Sequence, residues 1–493
     1  MMAPVVAVEG SQHGSRGVVA AGHPLTADAA AEMLRDGGNA FDAVIAALAM
    51  ACVCEPVLCS PGAGGFAMIR DGSTGAVQVI DFFVHTPVAR NPNLVGDRGV
   101  REVHADFGTA TQPFHIGPAT VATPGFFDGL EAIHRRGATF ALDRLVARAV
   151  HAAREGIVVT PFQHHLSNVV TAILTASDAA ARLFAPGGRA VGVGDVFRNP
   201  GLADGLESLA RDGFGDGPVG RACLDSQRHR GHLTGDDLER YRIVEREPLV
   251  VEVGRCRVHL NPLPAAGGTL VAHTLDQLVG WDPVAVAHAV AATGAARRDG
   301  AGNLIDLATL RRRGTTHVSV VDASGTACAV TVSNGEGNGE LVDGFGFMLN
   351  NVLGEDDVNP AGTTTWPTDT RLSSMMCPAI IEESDGGIVA LGSGGSNRIR
   401  SAIAQVVLRR CIDGVELRSA VAAPRVHVEG VHLDFEDHVE PDDRVRLMAA
   451  FPDHRAWPTR DLFFGGVHAV RRCPDGSFDG AGDTRRDGVA LTV

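Results

Sequence analysis

A β-rich hairpin that begins at Thr315 is the feature that most constrains the fold of this 493-residue chain. Residues 315–322 and 326–333 are rich in Val and Thr, and the short turn 323–325 separates them. Strand-forming residues on both sides of a turn predict an antiparallel pair. The chain before the hairpin is predicted to be mainly helical, and further strands and helices follow it. This order of elements favours a layered α/β architecture.

The segment before the hairpin, residues 297–314, is rich in Gly, Arg and small side chains. This composition predicts an exposed, mobile connection that ends at Gly314. If the bond between Gly314 and Thr315 were cut, the α-amine of Thr315 would lie beside its own hydroxyl group. An α-amine has a pKa of about 7.7–8.0, so it can accept the hydroxyl proton near neutral pH. The alternative interpretation is an ordinary surface hairpin with a Thr-rich strand.

The composition excludes several classes of catalyst. All 43 basic residues are Arg, so a P-loop lysine, a lysine Schiff base and a Ser–Lys dyad are impossible. Tyr241 is the only tyrosine, which nearly excludes a phenol as the catalytic acid. The net charge of −15 argues against nucleic acid or an anionic membrane as the main partner. An α-amine that activates its own hydroxyl needs none of the excluded groups.

The cysteines and histidines give no indication of a metal site. The nine cysteines follow no regular framework, and the group at Cys52, Cys54 and Cys59 lacks zinc-site spacing, so buried reduced thiols are expected. Three histidines in the C-terminal part also fit no ligand pattern, and we expect them at solvated strand ends. These histidines are His427, His432 and His438.

Signals for export and for membrane insertion are also absent from the sequence. Residues 1–10 contain neither the basic nor the apolar region of a secretory signal. The longest apolar run, residues 43–54, is too short to span a bilayer. We therefore expect a soluble cytoplasmic protein.

Two further motifs contain groups that can bind an anion. Gly394 and Gly395 precede a predicted helix over 399–411, where unpaired backbone N–H groups can hold an oxyanion. The same glycines also fit a tight turn that requires positive φ, and both interpretations stay open. Ser373 and Ser374 present two adjacent hydroxyls after a polar loop, which alone indicate little.

These motifs belong to a longer series whose order and spacing extend over nearly the whole chain. The series comprises residues 36–43, Glu55 and Pro56 with the glycine loop after them, Thr123 to Gly125, the Pro-rich loop before Gly267 and Gly268, and residues 315–322, 372–375 and 392–396. Taken together, the motifs resemble the γ-glutamyltranspeptidase family of N-terminal-nucleophile hydrolases. The resemblance implies a four-layer αββα sandwich, an amino-acid-like small-molecule substrate and no cofactor or metal.

The same resemblance implies a proenzyme that cuts itself between Gly314 and Thr315. The products would be a large subunit, residues 1–314, and a small subunit, residues 315–493, which together form the sandwich. The two subunits would stay associated as a heterodimer, so each cleaved subunit would be the other's partner.

The resemblance also implies roles for individual residues. Thr315 would be the nucleophile, and Ser333, where the family usually carries Thr, would hydrogen-bond near it and assist self-cleavage. Gly394 and Gly395 would supply the oxyanion hole. The implied donor-binding residues are Ser373 and Ser374 for the carboxylate, and Glu355 or Asp356, after Asn350 and Asn351, for the ammonium group.

Departures from the family pattern concern the donor. In the family's Asp-Phe-Arg motif the Arg grips the α-carboxylate of the γ-glutamyl group, whereas this chain carries Asp81, Phe82 and Phe83. Loss of such a charge-assisted contact costs about 2–5 kcal/mol of binding. The usual polar pair near the second hairpin strand is replaced by Asn-Gly-Glu at residues 334–336. Typical members are exported, unlike the expectation for this chain. These departures argue against ordinary glutathione turnover.

The leading hypothesis is therefore a self-processing threonine hydrolase with a donor other than plain γ-glutamyl compounds. A branch of the family that resembles this chain serves intracellular biosynthesis of specialised metabolites, and some of its members cleave a C–C bond in making 4-alkyl-proline building blocks of antibiotics. The runner-up is a true γ-glutamyl hydrolase or transferase in which Arg90 or Arg371 replaces the lost Arg. The third is an unprocessed, non-catalytic relative that acts by binding.

Overall fold

A computed structural model of the chain describes residues 15–94, 96, 98–106, 111–298, 314–355 and 365–493. Helices and antiparallel strands make up most of these residues. The α-helices are α1 (Pro24–Arg35), α2 (Ala40–Cys54), α3 (Phe126–Arg135), α4 (Leu142–Glu155), α5 (Pro161–Val169), α6 (Thr171–Leu174), α7 (Asp178–Phe184), α8 (Pro200–Asp212), α9 (Pro218–Gln227), α10 (Gly235–Arg240), α11 (Ala266–Leu275), α12 (Pro283–Arg298), α13 (Arg398–Cys411), α14 (Leu417–Ala422) and α15 (Pro441–Ala450). Short 3-10 helices span Pro118–Thr120, Pro186–Gly188, Val352–Gly354, Leu462–Phe464 and Thr484–Arg486.

The strands are distributed along the whole described chain. They are β1 (Gly17–Ala21), β2 (Gly64–Arg70), β3 (Val77–Phe82), β4 (Arg101–Asp106), β5 (Thr111–Ile116), β6 (Ile157–Val158), β7 (Val196–Phe197), β8 (Val244–Arg246), β9 (Leu249–Val253), β10 (Cys256–Leu260), β11 (Gly314–Asp322), β12 (Ala327–Gly335), β13 (Ala379–Glu382), β14 (Ile388–Gly394), β15 (Val426–Glu429), β16 (His432–Glu436), β17 (His454–Trp457), β18 (Gly466–Arg472), β19 (Phe478–Ala481) and β20 (Val489–Thr492).

Two large antiparallel sheets form the centre of the molecule. Within the described residues, the first has the strand order β20-β1-β11-β12-β2-β3-β8 and the second has the order β19-β18-β14-β13-β10-β9. Strands β11 and β12 lie against β14, and β1 lies against β18, so the sheets pack face to face. Helices α1 and α2 cover the outer face of the first sheet, and α11 and α13 cover the second. These four layers confirm the predicted αββα sandwich.

Helix α2 lies deepest in the layer that covers the first sheet. Asn39 and Asp42 form a capping box at its start, in which each side chain accepts a hydrogen bond from the other residue's backbone N–H. All of its residues are buried, and it packs between α1, α4 and strand β11. A sequence that is apolar on all sides suits a helix with no solvent face. Its C-terminal end delivers Glu55 to the interior of the molecule.

The hairpin of β11 and β12 confirms the predicted strand pair, but it does not lie on the surface, as the alternative interpretation expected. Both strands are buried along their full length between the other sheet and α2. The interpretation as a surface hairpin is therefore wrong. The turn is closed by a 3.0 Å hydrogen bond from Asp322 N to the carbonyl of Thr326, with Gly325 at φ +83°. A positive φ favours glycine at this turn.

The predicted connection over 297–314 differs at both ends from what was expected. Its first two residues belong to α12, which continues to Arg298, and Gly314 is a buried residue of β11 rather than an exposed end. The strand captures Gly314 because it pairs with Gly335. Residues 299–313 lie outside the described residues, so the mobility of that part stays a prediction.

The expected state of the cysteines is confirmed, and one histidine expectation is wrong. Cys52, Cys54 and Cys59 are buried free thiols, as predicted. His427 is buried instead of solvated, since its Nδ1 lies 2.8 Å from Ser401 Oγ inside the layer next to α13. Among the described residues, no group of three or more His, Cys, Asp or Glu side chains could hold a metal ion. The helices in this part of the chain are too short or too polar to span a bilayer.

Candidate active site

The Gly314–Thr315 peptide lies at an irregularity in the central hairpin. Gly314 pairs with Gly335 and Thr316 pairs with Val332, so the register shifts between these two pairs. Such a bulge adds a residue to one strand and redirects the side chains beside it. Here the Oγ atom of Ser333 donates a 2.7 Å hydrogen bond to the carbonyl oxygen of Gly314. The structure thus places the predicted assisting residue on the carbonyl of the predicted cleavage bond.

The amide of Gly314 is held as well as its carbonyl. The N–H of Gly314 donates a 2.9 Å hydrogen bond to Oε1 of Glu336, which is buried. Asn351 Oδ1 in turn accepts a 3.0 Å hydrogen bond from the backbone N–H of Glu336. From the sequence, Glu336 was recognised only as a departure from the family pattern. The signal that could have indicated this contact is an acidic residue three positions after the predicted second strand, 326–333.

Thr315 itself is 4% exposed and lies against the loop between β14 and α13. A Cβ atom built on Gly394 would stand 2.2 Å from the carbonyl oxygen of Thr315, so only glycine permits this approach. Gly395 follows with φ +119° and Ser396 with φ +54°, and α13 begins at Arg398. The predicted helix after the glycine pair is therefore confirmed. Thr315, Ser333 and the glycine pair meet at one place.

A small cavity of about 10 Å³ lies beside Thr315, which is room for one water molecule. Its polar lining includes Glu55, whose Oε2 accepts a 2.6 Å hydrogen bond from Thr316 Oγ1. Oε1 of Glu55 accepts a longer hydrogen bond, 3.3 Å, from Thr26 Oγ1. Burial raises the pKa of Glu55 to about 7, although both threonine hydroxyls and the charge of Arg486 oppose this shift. From the sequence, Glu55 was recognised as part of a motif, but no role could be predicted for it.

Two buried histidines next to this cavity are uncharged at neutral pH. His317 Nδ1 lies 2.7 Å from Thr331 Oγ1 and its Nε2 lies 2.8 Å from Ser319 Oγ. Burial holds the pKa of His317 well below its usual value and lowers the pKa of His468 to about 4. His317 follows Thr316 directly in the sequence, yet its ring is occupied by hydroxyl partners within the sheets. It is thus a packing residue, and the hydroxyl of Thr315 is left to another base.

The segment that carries Ser373 and Ser374 packs against the start of α11. The carbonyl of Ser374 accepts a 3.2 Å hydrogen bond from Gly267 N, and its Oγ accepts a 3.1 Å hydrogen bond from Met376 N. Ser373 Oγ is shielded from solvent and has no hydrogen-bond partner among the described residues. A buried hydroxyl in this state is suited to a ligand's polar group. The described contacts join this pair to α11 and not directly to Thr315.

Phe83 lies close to this serine segment because Leu372 N donates a 3.3 Å hydrogen bond to the carbonyl of Val84. The ring of Phe83 is 3% exposed and stacks on Phe66, with 5.4 Å between the ring centroids. The position that carries a cation in the resembled family is therefore occupied by a buried aromatic pair. The carbonyl of Phe83 accepts a 2.9 Å hydrogen bond from the Tyr241 hydroxyl.

The two arginines considered as replacements are both engaged with the protein. Arg371 donates to Tyr241 Oη at 2.8 Å, to the carbonyls of Phe83 and Arg242, and lies 3.6 Å from a carboxylate oxygen of Asp81. Arg90 donates a hydrogen bond to the main-chain carbonyl of Trp366. Its guanidinium carbon also lies 4.9 Å from the centroid of the Trp366 ring. These contacts argue against either guanidinium as a free carboxylate-binding group.

The acidic residue expected for a donor ammonium is described at one of its two candidate positions. Glu355 is 8% exposed and follows the 3-10 helix Val352–Gly354. Its Oε1 would stand 2.6 Å from a Cβ atom built on Gly335, the pairing partner of Gly314. Asp356 lies outside the described residues. Glu355 thus lies near the predicted cleavage bond, and the choice between Glu355 and Asp356 stays a prediction.

Comparison with known proteins gives matches over nearly the whole chain. A family described as gamma-glutamyltranspeptidase matches residues 26–292 and 287–493. The glutathione hydrolase proenzyme of Bacillus subtilis (strain 168) is 25% identical, over 97% of this chain and 92% of that protein. The acylase ACY 1 proenzyme of Pseudomonas sp. (strain V22) is 29% identical, over 97% and 94%. The crystal structure of cephalosporin acylase from Bacillus halodurans superposes with a TM-score of 0.84 at 22% identity, over 99% and 98%.

Proposed function

Because the chain belongs to the γ-glutamyltranspeptidase family, we propose that it is a threonine hydrolase that cleaves its own chain before Thr315 and then uses this residue as its nucleophile. The observation that carries the proposal is the carbonyl of Gly314, which accepts the 2.7 Å hydrogen bond from Ser333 Oγ. A donor at this oxygen stabilises the negative charge that forms when the carbonyl carbon is attacked. Residues 1–314 and 315–493 would be the two subunits.

In the proposed self-cleavage, Thr315 Oγ1 attacks the carbonyl carbon of Gly314 and the C–N bond between the two residues breaks. The hydroxyl proton moves to the departing nitrogen, and an ester joins Gly314 to Thr315 Oγ1. Water then hydrolyses the ester, which leaves a carboxylate on Gly314 and a free hydroxyl and α-amine on Thr315. Ser333 polarises the carbonyl, and Glu336 holds the N–H of Gly314 on the opposite side of the residue.

The proposed turnover repeats this chemistry on a small molecule. The α-amine of Thr315 accepts the hydroxyl proton, Oγ1 attacks the donor carbonyl, and the leaving group takes the proton. Backbone N–H groups at Gly394 and Gly395 hold the oxyanion, which is consistent with the close approach of this loop to Thr315. Water or an amine then releases the acyl group. The neutral imidazole of His317 takes no part in these steps.

The proposed donor differs from a plain γ-glutamyl compound. The support is the buried Phe83–Phe66 stack at the position of the family's carboxylate-binding Arg, together with the engagement of Arg371 by Asp81. The curated relatives include an acylase as well as glutathione hydrolases. In its finer form, we propose action in the cytoplasm in specialised-metabolite (antibiotic) biosynthesis, including C–C bond hydrolysis toward 4-alkyl-proline building blocks. This form rests on the resemblance to the biosynthetic branch.

A second candidate is a true γ-glutamyl hydrolase or transferase. It is favoured by Glu355, which lies near Gly335, the pairing partner of Gly314, and by the hydroxyl of Ser373, for which the described residues offer no hydrogen-bond partner. A γ-glutamyl anilide and an N-butyryl anilide, which lacks both the amino and the carboxylate group of the γ-glutamyl donor, separate the two candidates. Higher kcat/KM for the butyryl probe supports the altered donor, and higher kcat/KM for the γ-glutamyl probe supports the second candidate.

Denaturing gel electrophoresis of the purified protein tests the proposal as a whole. We expect two bands whose masses sum to the 51.4 kDa of the chain, and a smaller band whose first residue is Thr315 by N-terminal sequencing. A single full-length band after long incubation would support the third hypothesis, a non-catalytic binding relative.

A further inference from the structure

The guanidinium of Arg486 lies directly beside the glycine pair of the candidate oxyanion hole. Its Nη1 would stand 3.2 Å from a Cβ atom built on Gly394, and its Nη2 would stand 3.4 Å from one built on Gly395. Both terminal nitrogens therefore face the backbone of this loop. Arg486 also lines the small cavity beside Thr315. The side chain reaches this position from the 3-10 helix Thr484–Arg486, near the C-terminus of the chain.

Arg486 is buried without a direct ion-pair partner among the described residues, although nearby carboxylates, Asp483 above all, act on its charge from a longer distance. The residue is 6% exposed, and within the described residues no carboxylate lies within 4 Å of its guanidinium and no hydrogen bond from it is formed. Its neighbour Arg485 is equally buried but is paired, at 2.5 Å with Glu436 and at 3.2 Å with Asp483. A buried charge without a partner is costly. The contrast between two adjacent arginines indicates that the charge of Arg486 has a use other than packing.

We infer that Arg486 is a positioning residue whose charge, acting through the Gly394–Gly395 loop, stabilises the oxyanion that forms on the donor after attack by Thr315. The inference rests on the proposed function, since it takes this loop as the oxyanion hole. A positive charge beside the N–H groups of this loop adds to the positive potential that they offer an oxyanion, and a water-poor site screens the charge weakly. The oxyanion exists only in the transition state and the tetrahedral intermediate, so the charge raises kcat and leaves KM nearly unchanged.

The aliphatic part of Arg486 has a separate packing role that the experiment must hold constant. Its Cβ, Cγ and Cδ atoms would stand 2.6–2.9 Å from a Cβ atom built on Gly466, so they fill the space beside strand β18. Arg486→Met keeps an unbranched apolar side chain and removes the charge. Arg486→Lys keeps the charge. Arg486→Gln keeps a polar side chain without the charge.

The test compares these variants with the native protein after self-cleavage has been verified on denaturing gels and the melting temperature has been measured. The substrate is whichever of the γ-glutamyl and N-butyryl anilides the native protein hydrolyses faster. We expect Arg486→Met to lower kcat by about 30-fold and to change KM by less than about threefold. Arg486→Lys is expected to recover kcat to within about fivefold of the native value. A correctly folded Arg486→Met protein overturns the inference if its kcat equals the native value, or if its lower kcat/KM comes from a higher KM. An Arg486→Lys protein whose kcat does not exceed that of Arg486→Met overturns it as well.

If Arg486→Met does not fold or is not processed, the Lys and Gln variants carry the same test. The inference expects kcat of Arg486→Lys to exceed that of Arg486→Gln at least about tenfold, and equal values overturn it. Native protein that stays a single band and hydrolyses neither anilide rejects the proposed function. Native protein that is active, with Arg486→Met equally active, rejects only the inference about Arg486.

Discussion

The two ends of the candidate site are built on different principles. At the nucleophile end, Gly314, Thr315 and Gly394 meet through backbone atoms, and Ser333 adds one short hydrogen bond. At the donor end, side chains decide the environment, and Phe83 occupies it with a stacked aromatic ring. The nucleophile end depends on strand register and on glycine, and substitutions of other side chains change these features little. The donor end changes with a single substitution.

The difference between the two ends indicates that the residues for hydrolysis and the residues for donor recognition can change independently in this fold. The proposed nucleophile, Thr315, lies on β11, in the centre of the first sheet, while Phe83 follows β3 near the edge of the same sheet. We expect a change at Phe83 to leave the hydrogen bonds of the central hairpin intact, because strand β2 lies between β3 and the hairpin. The family chemistry can thus be retained while the recognised acyl group changes. The experiments below test this separation.

The largest effect is expected from loss of the nucleophile. Thr315→Ala removes the hydroxyl that attacks Gly314, so the chain should remain one band of 51.4 kDa and lose amide hydrolysis by about four orders of magnitude or more. Denaturing gels and a chromogenic assay measure both. The matched control is Thr326→Ala in the turn of the same hairpin, which should be processed normally. Two bands from the Thr315→Ala protein would refute the nucleophile end as described.

A smaller effect is expected at the assisting hydroxyl. Ser333→Ala removes the donor to the Gly314 carbonyl and should slow self-cleavage about 100- to 1,000-fold, as loss of one oxyanion donor does in other hydrolases. The rate is followed as conversion of one band to two after rapid purification. Ser333→Thr keeps the hydroxyl and should be processed at close to the native rate. An Ala variant that matures as fast as the native protein would contradict this assignment.

The donor end is tested by restoring a cation. Phe83→Arg should raise kcat/KM for a γ-glutamyl anilide by at least about 30-fold, which is the lower end of the 2–5 kcal/mol attributed to a charge-assisted carboxylate contact. Phe83→Leu is the matched control, since it disrupts the ring stack without adding charge. The two ends would not be separable if the Arg variant were no longer processed while the Leu variant was.

The last prediction concerns stability instead of activity and involves Glu55, the buried carboxyl that accepts a hydrogen bond from Thr316. Its pKa is raised from 4.5 to about 7 by burial, so the folded protein keeps a proton that the unfolded chain releases between these values. The folded state binds more protons there, and its stability therefore falls as pH rises from about 4.5 to about 7, by about 3 kcal/mol in total. Below this range the contribution is fully present, and above it the contribution is lost.

Glu55→Gln lacks this titration but can still accept the hydrogen bond from Thr316. The difference in melting temperature, variant minus native, should become more positive as the pH rises from 5 to 8. Melting curves over this range on processed protein measure the trend. A constant difference, or one that moves the other way, would show that Glu55 does not titrate in this window.

Much of the site was predictable because it consists of short local motifs. The helix after Gly394 and Gly395 and the hairpin that begins near Thr315 follow from glycine placement and strand-forming residues, and both are confirmed. The buried setting of that hairpin was not predictable, because burial depends on the sheet and helices packed against it. His427 shows the same limit, since only the contact with Ser401 reveals that it is buried.

The donor side was predictable in identity but not in arrangement. The sequence shows an aromatic residue at position 83 and arginines at 90 and 371, but it does not show that Phe83 stacks on Phe66 or that Arg371 is engaged by Asp81. Those contacts join residues far apart in the chain. Arg486 was missed for the same reason, since nothing in its local sequence distinguishes it from Arg485.

By itself, the sequence determined the chemistry that is possible here: with no lysine in the chain, a threonine hydroxyl with its own amine remains a sufficient catalyst, and the order of the motifs identified the family. Local patterns of this kind are encoded in neighbouring residues, so a linear chain displays them. Only the tertiary structure decided which charges are paired, which carboxyl is buried and what lies beside the glycine loop. Burial and charge pairing depend on distances between segments remote in sequence, and these distances exist only after the sheets have packed.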